Sequence, residues 1–160
     1  MRPRQGRAER SQRMAKEYDP RMHSAEHILN QTMVRMFGRG RSFSAHIEKK
    51  KSKCDYRFDR NLTPAETAEL EKRINAVIAE DLPVSEEYLS RQEAGAAFNL
   101  EKLPEGAGER IRIIRIGEYD ACPCRGEHVA STSEIEGVGI TSTVYQEGVL
   151  RIRFRLRDRA

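Results

Sequence analysis

The chain of 160 residues contains four histidines and three cysteines, and four of these seven side chains fall into two pairs of equal spacing. His23 and His27 stand four residues apart in "RMHSAEHIL", and Cys124 and His128 stand four apart in "CPCRGEHV". Residues four apart on a helix share a face, so the first pair of imidazoles can reach one ion. Two imidazoles do not complete a site, because zinc takes four ligands, or three and an open position. The two pairs together supply a full soft tetrahedral set, and metal binding is the expectation. Glu26 directly before His27 also allows an H-x-x-E-H reading, the inverted zinc-protease pattern. That pattern needs a carboxylate ligand from a later helix and a second lobe to hold a peptide. The chain is short, and it offers Cys124 and His128 instead.

Other groups stand close to these in sequence. His46 follows Ser44 by two on an extended segment, so both project to one side. If that side lines a pocket, Ser44 can sense a substrate hydroxyl and His46 can orient a water. Glu26 and Glu127, each beside a metal-site histidine, are alternative bases or supporting partners of the ligands. Cys122 reads as a small buried residue, and Cys54, alternating with Tyr56 and Phe58, as core.

The elements that must position these groups are legible as patterns. Asp19-Pro20 marks a helix start, and Met22, Ala25, Ile28, Leu29, Met33, Met36 and Phe37 follow at helical spacing up to Gly38 and Gly40. "SFSAHIE" and "KSKCDYRFD" alternate as two strands joined by a lysine-rich turn, with Phe43, Ala45 and Ile47 on one side of the first. Thr63 and Glu66 form a capping box ahead of a helix over 64–80, whose buried stripe is Leu70, Ile74, Val77 and Ile78. "VSEEYLS" reads as a strand, "RQEAGAAF" as a short helix and "LPEGAGE" as a loop. "RIRIIRIGEYD" reads as one strand. "VGITSTVYQ" and "VLRIRFRLR" read as a hairpin turning at Glu147-Gly148. No regular βαβ alternation is present, which indicates an α+β fold, an antiparallel sheet with packed helices. Residues 1–17 read as a basic N-terminal arm, and 18–160 as one domain.

Composition bounds the rest. With 34% charged and 38% hydrophobic residues, the chain suits a solvated globule, and its apolar runs fall far below the ~20 residues of a membrane span. An odd number of cysteines without a secretory signal argues for reduced thiols and a cytoplasmic setting. The net charge of +4 is modest, but the cations cluster: in the first segment, at Lys49, Lys50, Lys51 and Lys53, and at Arg151, Arg153, Arg155 and Arg157. Such clusters suit a polyanion.

"HSAEHIL" followed by "CRGEHVASTSEIEGVGI" resembles the editing domain of alanyl-tRNA and threonyl-tRNA synthetases and the free-standing alanyl-tRNA editing proteins built on it. The resemblance runs from about Met22 to Val144, with the intervening strands and the helix ending at Leu82-Pro83-Val84 in the same order. It implies that His23, His27, Cys124 and His128 hold Zn2+ between a helix and a loop. It also implies hydrolysis of an amino acid wrongly esterified to the 3′ end of a tRNA. Acting in trans on seryl-tRNA of alanine identity is the expected activity. Ser-tRNA(Thr), or a non-catalytic zinc-containing RNA-binding module, is the alternative. The metal motif reads Cys-Arg-Gly-Glu-His, where the alanyl type has C-G-G-T-H and the threonyl type C-R-G-P-H. The threonyl type carries an aspartate two residues before the metal cysteine, where this chain has Cys122, and Asp120 lies two residues further back. Ser44 and Asp120 are the expected substrate contacts, and His46, Glu26 and Glu127 the candidate catalytic groups. Arg151, Arg153, Arg155, Lys49 and Lys51 are expected on the phosphates of the tRNA acceptor end.

Overall fold

The computed structural model of the chain describes residues 19–98 and 110–157. The basic arm 1–17, the domain start at Tyr18 and the loop 103–109 lie outside the described residues. The first helix, α1 (Pro20–Phe37), begins where the Asp19 side chain accepts the Arg21 N–H, and it ends at Gly38, whose φ of +67° is open to glycine. Five of its ten buried residues are polar: His23, Ser24, His27, Asn30 and Thr32. A helix that buries so many polar groups needs a partner for each of them, and the site described below supplies most of those partners.

Strands β1 (Ser44–His46) and β2 (Ser52–Arg57) form the hairpin that the lysine run turns. Helix α2 (Pro64–Ala79) carries the full Thr63/Glu66 capping box and buries Leu70, Ile74, Val77 and Ile78. Strand β3 (Val84–Ser90), helix α3 (Arg91–Ala97), strand β4 (Arg110–Ile116) and strand β5 (Asp120–Pro123) follow. A 3-10 turn at Thr132–Ile135 leads into the hairpin of β6 (Val138–Gln146) and β7 (Val149–Leu156), which turns through Glu147 and Gly148, both at positive φ.

The strands make two antiparallel sheets, ordered β1-β2-β7-β6 and β3-β4-β5. In the first, Cys54 faces Ile152 and Tyr56 faces Leu150, while Lys53 faces Arg153 and Asp55 faces Arg151. Cross-strand partners share a face, so one side of the sheet is apolar and the other charged. The apolar side joins α1, α2 and Ile135 in the main core, and Ala94, Ile111 and Ile113 form a smaller one. The architecture is therefore α+β, with antiparallel sheets and packed helices. None of the described helices is long and apolar enough to cross a membrane.

Two local expectations are corrected. Phe43 and Ala45 are exposed, because β1 is a three-residue edge strand, and Phe43 lies under the Arg57 guanidinium, 4.0 Å from its ring centre. "RIRIIRIGEYD" is not one strand. Gly117, at φ +50°, turns the chain back, so β5 pairs with β4 and Cys122 lies opposite Ile114.

Candidate metal centre

The turn at Gly117 delivers the second half of the site. Strand β5 runs back along β4 and ends at Pro123, and the Cys124 N–H donates to the Arg112 carbonyl at 3.2 Å. The Arg112 guanidinium then clamps the following loop, donating to the Gly126 carbonyl at 2.7 Å and the Cys124 carbonyl at 3.3 Å. This loop lies against α1. The structure brings His23, His27, Cys124 and His128 together, with one potential ligand atom from each within 4.8 Å of the others. The Cys124 Sγ lies 3.3 Å from His23 Nε2 and 3.4 Å from His128 Nε2. The approach requires glycine at 126, because a Cβ there would meet His23 Cε1 at 2.1 Å and Nδ1 at 2.3 Å.

The electrostatics favour a cation. Burial would raise the Cys124 thiol, but contacts with His128, His23 and His27 outweigh it and hold the pKa down at about 3. Burial opposes charge on His27, yet Asp120, Cys124 and Glu26 hold its pKa up at about 9. Burial, joined by charge on His27 and His23, lowers His128 to about 4. A thiolate and two carboxylates thus converge on buried imidazoles. The donor set of three nitrogens and one thiolate fits zinc, whose ligands are these groups.

Two imidazoles are bonded through Nδ1: His23 to the Glu127 carbonyl at 3.3 Å, and His128 to the Ser24 hydroxyl at 3.0 Å. The Ser24 oxygen also accepts the Val129 N–H. Such outer contacts fix a ring tautomer and turn Nε2 toward the other donors. Glu26 lies beside the Nε2 atoms, with Oε2 3.6 Å from His23 and 4.0 Å from His27. Its other oxygen accepts from Asn30 Nδ2 at 3.2 Å. The Asn30 Oδ1 takes the Tyr56 hydroxyl at 2.8 Å and the Ser42 N–H at 2.9 Å. With both donors on the oxygen, the amide must turn its NH2 toward Glu26.

The other expected site residues fall elsewhere. Glu127 contributes its backbone carbonyl, and its side chain is exposed. Asp120 has a side chain with 0% exposure and is enclosed by His27, Arg41 and Gln31. Ser44 pairs with Asp55 and His46 with Lys53, so both lie on the charged side of the sheet, opposite the core that α1 joins. His46 Nε2 contacts Glu48 at 2.6 Å on the surface. Cys122 stands outside the donor group, and burial pushes its thiol up to about 11. Arg151 is held bidentately by Asp55, whereas Arg155, Lys49 and Lys51 are exposed and Arg153 reaches Ser142. Sequence reasoning missed Ser24, Asn30, Arg41 and Arg112. Ser24 and Asn30 interrupt the apolar stripe of α1 with polar residues, and that was a usable signal.

Residues 111–153 match the family model described as the threonyl and alanyl tRNA synthetase second additional domain. The resemblance extends over most of the chain in individual proteins. The alanine–tRNA ligase of Methanopyrus kandleri is 30% identical over 144 residues, 88% of this chain and 16% of the ligase. That of Caldivirga maquilingensis is 35% identical over 143 residues, 84% of this chain and 16% of the ligase. The alanyl-tRNA editing protein AlaX-L of Pyrococcus horikoshii is 33% identical over 114 residues, 71% of this chain and 28% of that protein. The chain thus spans about a sixth of the ligases it matches and about a quarter of the editing protein.

Proposed function

We propose that the chain hydrolyses mischarged aminoacyl-tRNA in trans, with seryl-tRNA of alanine identity as its substrate. The observation that carries this reading is the convergence of His23, His27, Cys124 and His128 on one point, in a chain similar to an alanyl-tRNA editing protein. An alanine pocket rejects serine poorly, since one added hydroxyl is worth only ~1–3 kcal/mol, and a second site that tests for the hydroxyl removes the error.

In this reading the four residues would hold zinc, which would organise the pocket with all four bound and, with Cys124 or His128 displaced, would supply a Lewis acid for an ester carbonyl or a water brought toward a pKa of ~7. Glu26 is the proton acceptor, because its Oε2 faces the imidazole Nε2 atoms and its Oε1 is tethered by Asn30. A water oxygen bonds to the acyl carbon as its proton passes to Glu26. The bond from that carbon to the ribose oxygen breaks, and Glu26 returns the proton to the leaving oxygen. Serine and intact tRNA result. Arg153, Arg155, Lys49 and Lys51 contact acceptor-stem phosphates, which adds salt-dependent affinity without sequence choice.

A second reading, a closed structural zinc site in an RNA-binding module, is favoured by the complete set of four donors, which leaves no open position. Incubation with Ser-tRNA(Ala), Ala-tRNA(Ala) and Ser-tRNA(Thr), with and without a chelator, separates the two. Loss of serine from Ser-tRNA(Ala), halted by the chelator, is the expected result. Stability of all three esters refutes the enzyme reading.

A further inference from the structure

We propose that Asp120 and Arg41 form a positioning pair for the metal centre: the Asp120 carboxylate fixes the His27 imidazole through Nδ1, and Arg41 holds the carboxylate in place. The proposal rests on the metal-site reading above and adds two residues to it.

The three histidines of the centre are not treated alike. The Nδ1 atoms of His23 and His128 each have a bonded oxygen, from Glu127 and Ser24. The His27 Nδ1 is buried and has no formed hydrogen bond among the described residues. The nearest oxygen is Asp120 Oδ2, at 3.5 Å. The Asp120 side chain has 0% exposure and that of His27 has 4%, so no water competes for this gap. Nε2 ligation requires the proton of a neutral ring to sit on Nδ1. A shift of about 0.6 Å would bring the pair to the ~2.9 Å of a charge-assisted bond.

The carboxylate cannot act elsewhere. Its Oδ1 accepts from Arg41 Nη1 at 2.7 Å and Gln31 Nε2 at 2.9 Å, and its Oδ2 faces His27 and Arg41 Nη2, the latter at 3.4 Å. Substrate cannot reach a side chain so enclosed. An isolated buried carboxylate would be costly, and Arg41, with 28% side-chain exposure, balances the charge while its outer surface stays wet. Asp120 also opens β5, four residues before Cys124. One short strand therefore aims an anion at the helical half of the site and carries the thiolate of the other half.

The test is competition for Zn2+ against a chromophoric chelator, with purified full-length chain, for wild type, Asp120→Asn and the double variant Arg41→Gln/Asp120→Asn. Asp120→Asn alone strands the Arg41 charge and lowers stability for that reason. The double variant removes both charges, so the thermal midpoint of its metal-free form returns toward wild type. Its Zn2+ affinity should nevertheless stay 10–100-fold below wild type, the usual effect of losing an outer partner of a histidine ligand. In Zn2+-loaded wild type, the His27 Nδ1–H proton resonance should lie far downfield, and it should move upfield in both variants. Wild-type Zn2+ affinity in the double variant, or an unmoved His27 resonance, overturns the proposal. Failure of the wild-type chain to bind Zn2+ overturns the metal reading itself, a distinguishable result.

Discussion

Gly126→Ala is the sharpest probe of the centre, because it adds one methyl group outside the donor set. The new carbon would stand 2.1 Å from His23 Cε1 and 2.3 Å from Nδ1. Carbon atoms rest at about 3.5 Å, so ring and loop must separate by about 1.4 Å. The loop is held by Arg112 through two carbonyls, and His23 belongs to a buried helix, so neither yields freely. Metal–ligand lengths tolerate only about 0.2 Å, and a displacement several times larger takes His23 Nε2 out of reach of an ion shared with Cys124. Losing an outer partner costs about 10–100-fold in affinity, so losing a ligand should cost at least about 100-fold in Zn2+ binding, read by chelator competition. The fold should bear only a repacking penalty of about 1–3 kcal/mol. Wild-type Zn2+ affinity in Gly126→Ala would refute the reasoning, since the loop would then not hold the position described.

Three further outcomes are expected. Reversing charge at Arg153 and Arg155 should raise KM for aminoacyl-tRNA with kcat little changed. It should also flatten the salt dependence of binding by about 1.8 in log–log slope, or ~0.9 per lost phosphate contact; an unchanged KM removes this face from the tRNA path. Glu66 is held at about 2 by Arg60 and the Thr63 end of α2, below the ~4.3 of an unfolded chain. Its contribution is therefore present above pH ~4.3 and lost as pH falls toward 2. Glu66→Gln should cost about 1 kcal/mol at pH 7 by urea unfolding, the scale of a solvated cap, and almost nothing at pH 2; a penalty equal at both pH values contradicts this. Ile74→Ala, at a fully buried position of α2, should cost about 2–5 kcal/mol, and a smaller loss would mean that the core collapses into the gap.

Much of this was legible in advance because its causes are local. Asp19-Pro20, Gly38 and the Thr63/Glu66 box bound helices through short-range capping, and the alternation in β2 and β7 reports one buried face. The helical spacing of His23 and His27 puts that pair on one face, whereas Cys124 and His128 lie on a loop, where the fold and not the spacing sets their approach. What escaped depends on neighbours distant in sequence. The exposure of Phe43 follows from β1 being an edge, which the order of strands decides. The reversal at Gly117 turns on one glycine that also reads as a strand residue. Asp120 was expected to meet substrate, and its enclosure by Arg41 and Gln31 follows from tertiary packing that no spacing announces. Asn30 signals a buried polar group by interrupting the apolar stripe of α1, but its role shows only once Tyr56 and Ser42 are seen to hold its oxygen.

The contacts between α1 and the Cys124 loop join residues 101 to 105 positions apart. During vectorial synthesis, then, the five polar groups that α1 later buries wait without most of their partners until about a hundred further residues have emerged. Distant closures of this kind slow folding. An ion captured at that late moment would rivet α1 to a loop made about a hundred residues after it, so metal scarcity should show itself as molecules that fail to mature as well as molecules that fail to act.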